Sequence, residues 1–265
     1  MNSSTTKVVA TVSIAHGLSH FNHLLLAPLF PFIKVQFGLS YAELGFLMTV
    51  FFVVSGVGQA LSGFLVDRIG PIKVMLGSIS LFVAASIVLA LAPNYALLLL
   101  GSVLAGLGNA AFHPIDYSIL NARIAPEKLG NAYAIHGISG NLGWAIAPLF
   151  LLTITSYSSW HVAIGAAGAM AAAIGVLVFV NRQALEPRNA IKQRAEANAK
   201  AMSSQNSNPS SLGASEGAFS FLTLPAVWMS FAFFFAYAVA LGGVQSFGAE
   251  AASKQIGRAS CRERV

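Results

Sequence analysis

Three histidines stand at residues 16, 20 and 23 in the stretch AHGLSHFNH, within the first long apolar run of the chain. Their i, i+4, i+7 spacing puts His16, His20 and His23 on one face of a helix. Further along, GLGNAAFHPIDYSILN carries Asn109, His113 and Asp116, and HGISGNLGWAIAP begins at His136. Imidazoles and a carboxylate can take up and release protons, ligate zinc or copper, hold a haem, or hydrogen-bond a polar solute. Asp116 is the one carboxylate well inside an apolar segment, and an ionisable group in hydrocarbon is a functional candidate by default.

The elements that position these groups follow from composition. The chain has 265 residues, 56% hydrophobic and 9% charged, with a mean hydropathy of +0.71. A soluble domain carries about 25% charged residues, so this chain is an all-α polytopic membrane protein. Apolar segments run at about Val8–Ile33, Ala42–Val66, Val74–Leu91, Ala96–Leu120, Gly130–Ile154, Trp160–Val180 and Leu224–Ala249. Each is long enough to span ~30 Å of hydrocarbon at ~1.5 Å per residue. The runs are continuous rather than alternating, which favours helices over barrel strands. The first run is too long for a removable signal peptide and lacks a small-residue cleavage site.

Basic residues set the orientation. Lys7, Arg68, Lys73, Arg123, Lys128, Arg182, Arg188, Lys192, Arg194 and Lys200 fall on one side, and Lys34 and Lys254 on the other. The N-terminus and the long connection after the sixth segment are therefore expected in the cytoplasm. Because the net charge of +6 sits in these connections, it calls for no nucleic-acid partner. The long connection turns from a charged stretch into SSQNSNPSSLGASEG, a flexible linker by composition. The last ten residues, IGRASCRERV, hold the only cysteine and fit an in-frame translation of a common short-read sequencing adapter. On that reading, residues 256–265 are an artefact and the frame is truncated.

After the second segment comes GFLVDRIGPIKVML, with Gly63, Asp67, Arg68, Gly70 and Lys73. Its Gly-x-Leu-x-Asp-Arg-x-Gly spacing resembles the loop signature of the major facilitator superfamily. Pro71 and Ile72 stand where that pattern has basic residues, and Lys73 comes one place late. The resemblance implies that Asp67 and Arg68 latch the cytoplasmic side against a helix of a second half. In the fifth segment, Gly137, Gly140 and Gly143 at threes, followed by Pro148, predict a smooth face for close helix packing; this stretch resembles the family's antiporter pattern. The run Gly-Asn-x-x-Phe-His-Pro, with His-Gly-x-x-Gly-Asn-Leu-Gly downstream, resembles the fosmidomycin-resistance-like branch. That branch usually carries a glutamate after the proline; here Ile115 stands there and Asp116 follows, shifted about 100° around the helix.

Depth arithmetic places His16 ~12 Å, and His113 and His136 ~10 Å, from the cytoplasmic ends of their helices. The family likeness implies that the first and fourth helices line a central cavity, so the histidines, Asn109 and Asp116 read as a substrate and proton pathway. Packing histidines, a zinc or copper site and a bis-histidine haem remain rival readings; for a metal, no acidic or thiol shell is evident from the spacing. An enzyme alternative is an intramembrane serine protease on Gly137-Ile138-Ser139-Gly140, for which only His161 follows the serine.

The resemblance thus implies a six-helix N-terminal half over residues 1–181, made of two inverted three-helix repeats. A cytoplasmic linker at 182–220 and a seventh helix at 221–255 would follow. Its expected work is alternating access in a bacterial-type plasma membrane, as proton-coupled export or antiport of a small organic solute. No enzyme activity, metal or cofactor beyond the proton gradient is expected. The expected partners are the lipid bilayer and the solute, with a monomer when full length.

Overall fold

The computed structural model describes residues 3–186 and 223–262. Among them, eight helices form the first of two compact units, Met1–Lys192. They are α1 (Ser3–His23), α2 (Phe30–Phe37), α3 (Tyr41–Ile69), α4 (Pro71–Ala90), α5 (Tyr95–Asn109), α6 (Phe112–Arg123), α7 (Pro126–Tyr157) and α8 (Trp160–Leu185). The second unit, Gln193–Val265, holds α9 (Pro225–Arg262). The expected linker lies outside the described residues beyond position 186, as do Arg188, Lys192, Arg194 and Lys200.

Local chemistry sets the helix ends. Ser40 caps α3 in a reciprocal box: its Oγ accepts from the Glu43 amide at 3.2 Å, while its own amide donates to Glu43 Oε2 at 2.7 Å. Asn94 and Ser159 cap α5 and α8 in the same sense. Pro71 and Pro126 occupy first-turn positions, where a missing N–H costs nothing.

Two apolar segments are not single helices. The first, Val8–Ile33, breaks after His23 into a three-residue 3-10 turn, Ala27–Leu29, and then α2, because Pro28 and Pro31 cannot donate to an α ladder. The fourth breaks at Ala110–Ala111 rather than only bending. Pro114 removes the amide that would bond the Ala110 carbonyl; the one Ser62 hydroxyl proton of α3 is shared between that oxygen, at 3.2 Å, and the Gln59 carbonyl of its own helix, at 3.0 Å. Ser62→Ala should therefore orphan a buried carbonyl and lower stability by ~1–3 kcal/mol. Unfolding in mixed micelles reads this directly, and a loss below ~0.5 kcal/mol would remove the hydroxyl from the account.

Among the described residues, six helical stretches are long and apolar enough to cross a membrane, rather than seven. They are α3, α4, α5 with α6, α7, α8, and Pro225–Gln245 of α9. The first segment drops out because its break shortens it and its histidines, Asn22 and serines lower its apolarity. It is no less a part of the bundle, since α1 packs along α7 and also meets α8. Elsewhere α4 lies against α8 and α5, and α5 against α3.

Two large apolar cores stack along the first unit, with a small third cluster at Phe51, Ala85 and Ala105. One joins Val8, Val66, Ile72, Ile119, Ile124 and Leu185 at the end bearing Lys7, Arg68, Lys128 and Arg182, here called the basic end. The other joins Leu29, Leu44, Leu89, Leu98 and Trp160 at the far end. His16 and Asn22 are buried on α1 between residues of the two.

Candidate functional site

The site begins where α1 and α7 touch without side chains between them. A Cβ on Gly143 would run into the Gly17 carbonyl, and one on Gly140 would come within 2.8 Å of the His20 ring. Because the backbones approach this closely, the His16 ring of α1 stacks on the His136 ring of α7, centroids 3.6 Å apart.

Asp116 of α6 completes the group. Its Oδ2 lies 2.9 Å from His16 Nδ1 and 3.0 Å from His136 Nε2. An ionised carboxylate only accepts, so each histidine donates from the named nitrogen to the same oxygen. Asp116 is 0% exposed, His16 2% and His136 5%. Ile115, one position earlier, turns into the apolar core at 0% exposure. The 100° step from residue 115 to residue 116 is what brings a carboxylate to the histidines rather than to the core.

Around this triad the polar atoms are not satisfied. Six buried side-chain nitrogen and oxygen atoms lack a partner among the described residues, and four are here: Asp116 Oδ1, both nitrogens of His20, and His113 Nδ1. The His20 and His113 rings lie 4.5 and 5.2 Å from His16. Such orphans are few in native proteins, and four of the six stand together here, which makes this the candidate site.

One helical turn further along α1, His23 is held by both nitrogens. Trp144 Nε1 donates to His23 Nδ1 at 3.3 Å. That makes Nε2 the donor to Asn109 Oδ1, at 3.1 Å. Asn109 Nδ2 then donates to Ser55 Oγ at 2.7 Å. A single file of hydrogen bonds thus runs α7 to α1 to α5 to α3. Towards the basic end, Tyr117 lies 6.0 Å from His113 and 5.6 Å from Tyr133, whose hydroxyl donates to Asn121.

The residues read from sequence therefore gather unevenly. His16, His20, His113, His136 and Asp116 form one cluster, and His23 and Asn109 join it through ring contacts and the relay. His16, His136 and Asp116 are interior to the helix bundle, whereas His20, His23 and His113 are half-buried. Trp144, Tyr117 and Ser55 were not singled out from sequence. Tyr117 is four residues after His113 and Trp144 eight after His136, so helical spacing could have found both; no sequence signal points to Ser55.

The glycine stripe is corrected in one member. The packed face of α7 is Ala132, His136, Gly140, Gly143, Ala147 and Leu151, so Gly137 lies off it with open space around. A spacing of three drifts around a helix of 3.6 residues per turn. Pro148 sits inside α7 without ending it. In the α3–α4 turn, Gly70 adopts φ +92, a backbone conformation that side chains disfavour. Gly63 meets nothing within 4 Å in the described residues, so no close helix approach is made there. Asp67, Arg68 and Lys73 are exposed, and both ion pairs found among the described residues belong to Asp116.

The structure supplies the acidic partner that spacing did not show: the ligand atoms of His16, Asp116 and His136 lie within 4.8 Å of one another. A divalent ion would have to replace both hydrogen bonds to Oδ2. The 3.6 Å stack of His16 on His136 leaves no room for a haem between them. Ser139 donates to the His136 carbonyl at 2.7 Å. His161 instead contacts the Ala90 carbonyl and Gln36, at the far end of the bundle. The serine-protease pairing is not assembled.

The sequence matches the Major Facilitator Superfamily over residues 12–256. The chain belongs to the Major Facilitator Superfamily. The fosmidomycin resistance protein of Escherichia coli is 27% identical over 169 residues, covering 60% of this chain and 41% of that protein. An uncharacterised transporter of the superfamily from Bacillus subtilis is 26% identical over 172 residues, covering 64% of this chain and 32% of its own. This chain thus spans less than half the length of these superfamily relatives. The same fold is seen in a bacterial homologue of the human lysosomal transporter Spinster, in its inward-facing, unoccupied conformation. That match has a TM-score of 0.71 at 18% identity and covers 94% of this chain and 56% of the other.

Proposed function

We propose that this superfamily chain carries the proton- and solute-responsive site of a secondary transporter that exports a small organic solute against proton entry. The observation that carries the reading is Asp116: a fully buried carboxylate with two imidazole donors on Oδ2 and nothing on Oδ1. An ionised group in a bundle that crosses hydrocarbon is retained only where it works.

The geometry suggests the step. A proton arriving on Oδ1 leaves Oδ2 as a neutral acceptor, and the two charge-assisted hydrogen bonds weaken by roughly half. The junction of α1, α6 and α7 then loosens. Solute binding at the unpartnered His20 and His113 nitrogens favours one side of that exchange, which couples the two. Asp67 and Arg68 stand ready for a latch on a second half. The fosmidomycin resistance relative supports export of an anionic drug-like solute, and the basic end is proposed to face the cytoplasm of a bacterial-type cell.

The test uses the full-length gene product in liposomes. With an imposed pH gradient, solute movement should follow the gradient, and Asp116→Asn should reduce it to background while membrane insertion is unchanged. Gradient-driven flux that survives Asp116→Asn would remove Asp116 from the mechanism.

A further inference from the structure

A groove of about 370 Å³ runs along the outer surface between α4 and α8, away from the histidines. Leu76, Ile79, Ser80 and Val83 form one wall, and Ala172, Gly175, Val176 and Phe179 the other. The lining is apolar but for Ser80, whose hydroxyl is turned back onto the Leu76 carbonyl at 2.9 Å. Gly175 keeps the floor open, since a Cβ there would already stand 3.2 Å from Ile79.

Its depth fits the acyl region of the bilayer. Leu76 lies ~8 Å and Val83 ~18 Å into α4 from the basic end, and Phe179 and Ala172 lie ~9 and ~20 Å into α8 from the same end. Half of a ~30 Å core is ~15 Å, so that interval starts in the leaflet at the basic end and stops a little past the midplane. Its mouth is basic. Lys73 is three residues before Leu76 and Arg182 three after Phe179, so each continues its wall one turn towards the headgroups. The Arg182 guanidinium sits 4.0 Å over the Phe179 ring, and its Nη1 donates to the Phe179 carbonyl at 2.8 Å. The rim and the charge are therefore one fixed unit. The acids near that end are Asp67, at the end of α3, Glu127, in the first turn of α7, and Glu186, one turn past Arg182.

We propose that this groove binds one acyl chain of an anionic phospholipid whose headgroup is met by Lys73 and Arg182. The apolar walls give affinity for the chain, at a length of groove that any phospholipid could use. The two cations give the preference for negative charge.

The 265-residue chain, purified in detergent and re-equilibrated with phospholipid micelles, should retain phosphatidylglycerol over phosphatidylcholine roughly tenfold by mass spectrometry of the intact protein. Lys73→Gln with Arg182→Gln should bring the two lipids level, and Gly175→Leu should release both. Ser80→Phe, on the opposite wall, repeats the filling test should Gly175→Leu fail to fold. Equal retention of both lipids by the unchanged chain would overturn the headgroup assignment. Retention unaffected by either filled groove, or a second protein chain crosslinking across it, would overturn the site.

Discussion

Gly143→Leu is expected to leave little folded protein, whereas Gly137→Leu, two helical turns away, is expected to be tolerated. The contrast follows from what each side chain meets. At Gly143 even a Cβ would collide with the backbone carbonyl of Gly17, which cannot rotate away. At Gly137 nothing lies within 4 Å. Overpacking a helix interface typically costs ~1–3 kcal/mol, and a clash with backbone rather than side chain should exceed the upper figure. The expected readout is loss of the monodisperse peak for Gly143→Leu and an unchanged unfolding midpoint for Gly137→Leu. Equal behaviour of the two would mean that α1 and α7 do not meet as described. The consequence would reach the site, because His16 stacks on His136 only at this separation.

The second large effect concerns the buried carboxylate. Replacing His16 and His136 together by phenylalanine leaves the buried Asp116 carboxyl with no donor, and removing the partners of a buried pair costs ~3–5 kcal/mol. Adding Asp116→Leu to that pair should recover most of the loss, since well-packed apolar groups replace a buried polar cluster at little net cost. The order of stability is thus unchanged chain first, triple variant close behind, double variant far below. Stability from chemical unfolding in micelles decides it. If the triple variant is no more stable than the double, the three residues are ordinary packing and their shared oxygen carries no energetic weight. Transport in the full-length context supplies the other half: the triple variant should be stable and inactive.

Much of this was legible in the sequence, for identifiable reasons. Continuous apolar runs gave six of the seven segments as helices able to cross a membrane, because length and polarity alone decide that property. Two properties needed coordinates. One was the break at Ala110: Pro114 announces a disturbed helix, but the Ser62 hydroxyl that meets the freed carbonyl lies 48 residues away. The other was the triad itself. Depth arithmetic put His16, His113 and His136 at similar levels, yet level does not determine azimuth, and only the close approach at Gly17 and Gly143 turns the His16 and His136 rings onto one another. The i, i+4 pair His16 and His20 looked like the natural couple on α1. The structure instead couples His16 to groups 100 and 120 residues away in sequence and leaves both His20 nitrogens unpartnered. Contacts between helices are outside the reach of spacing within one helix.

The file of hydrogen bonds from Trp144 to Ser55 has an implication for how this molecule tolerates change. Every donor along it is committed in one direction: indole to imidazole, imidazole to amide oxygen, amide nitrogen to hydroxyl. Such a string has a polarity, like a sentence that reads only one way. Exchanging Asn109 for a residue that cannot both accept and donate breaks it on two sides at once, while a change at either end breaks it once. The four positions lie on four helices and far apart in the gene, yet a substitution at one sets which substitutions the others can accept.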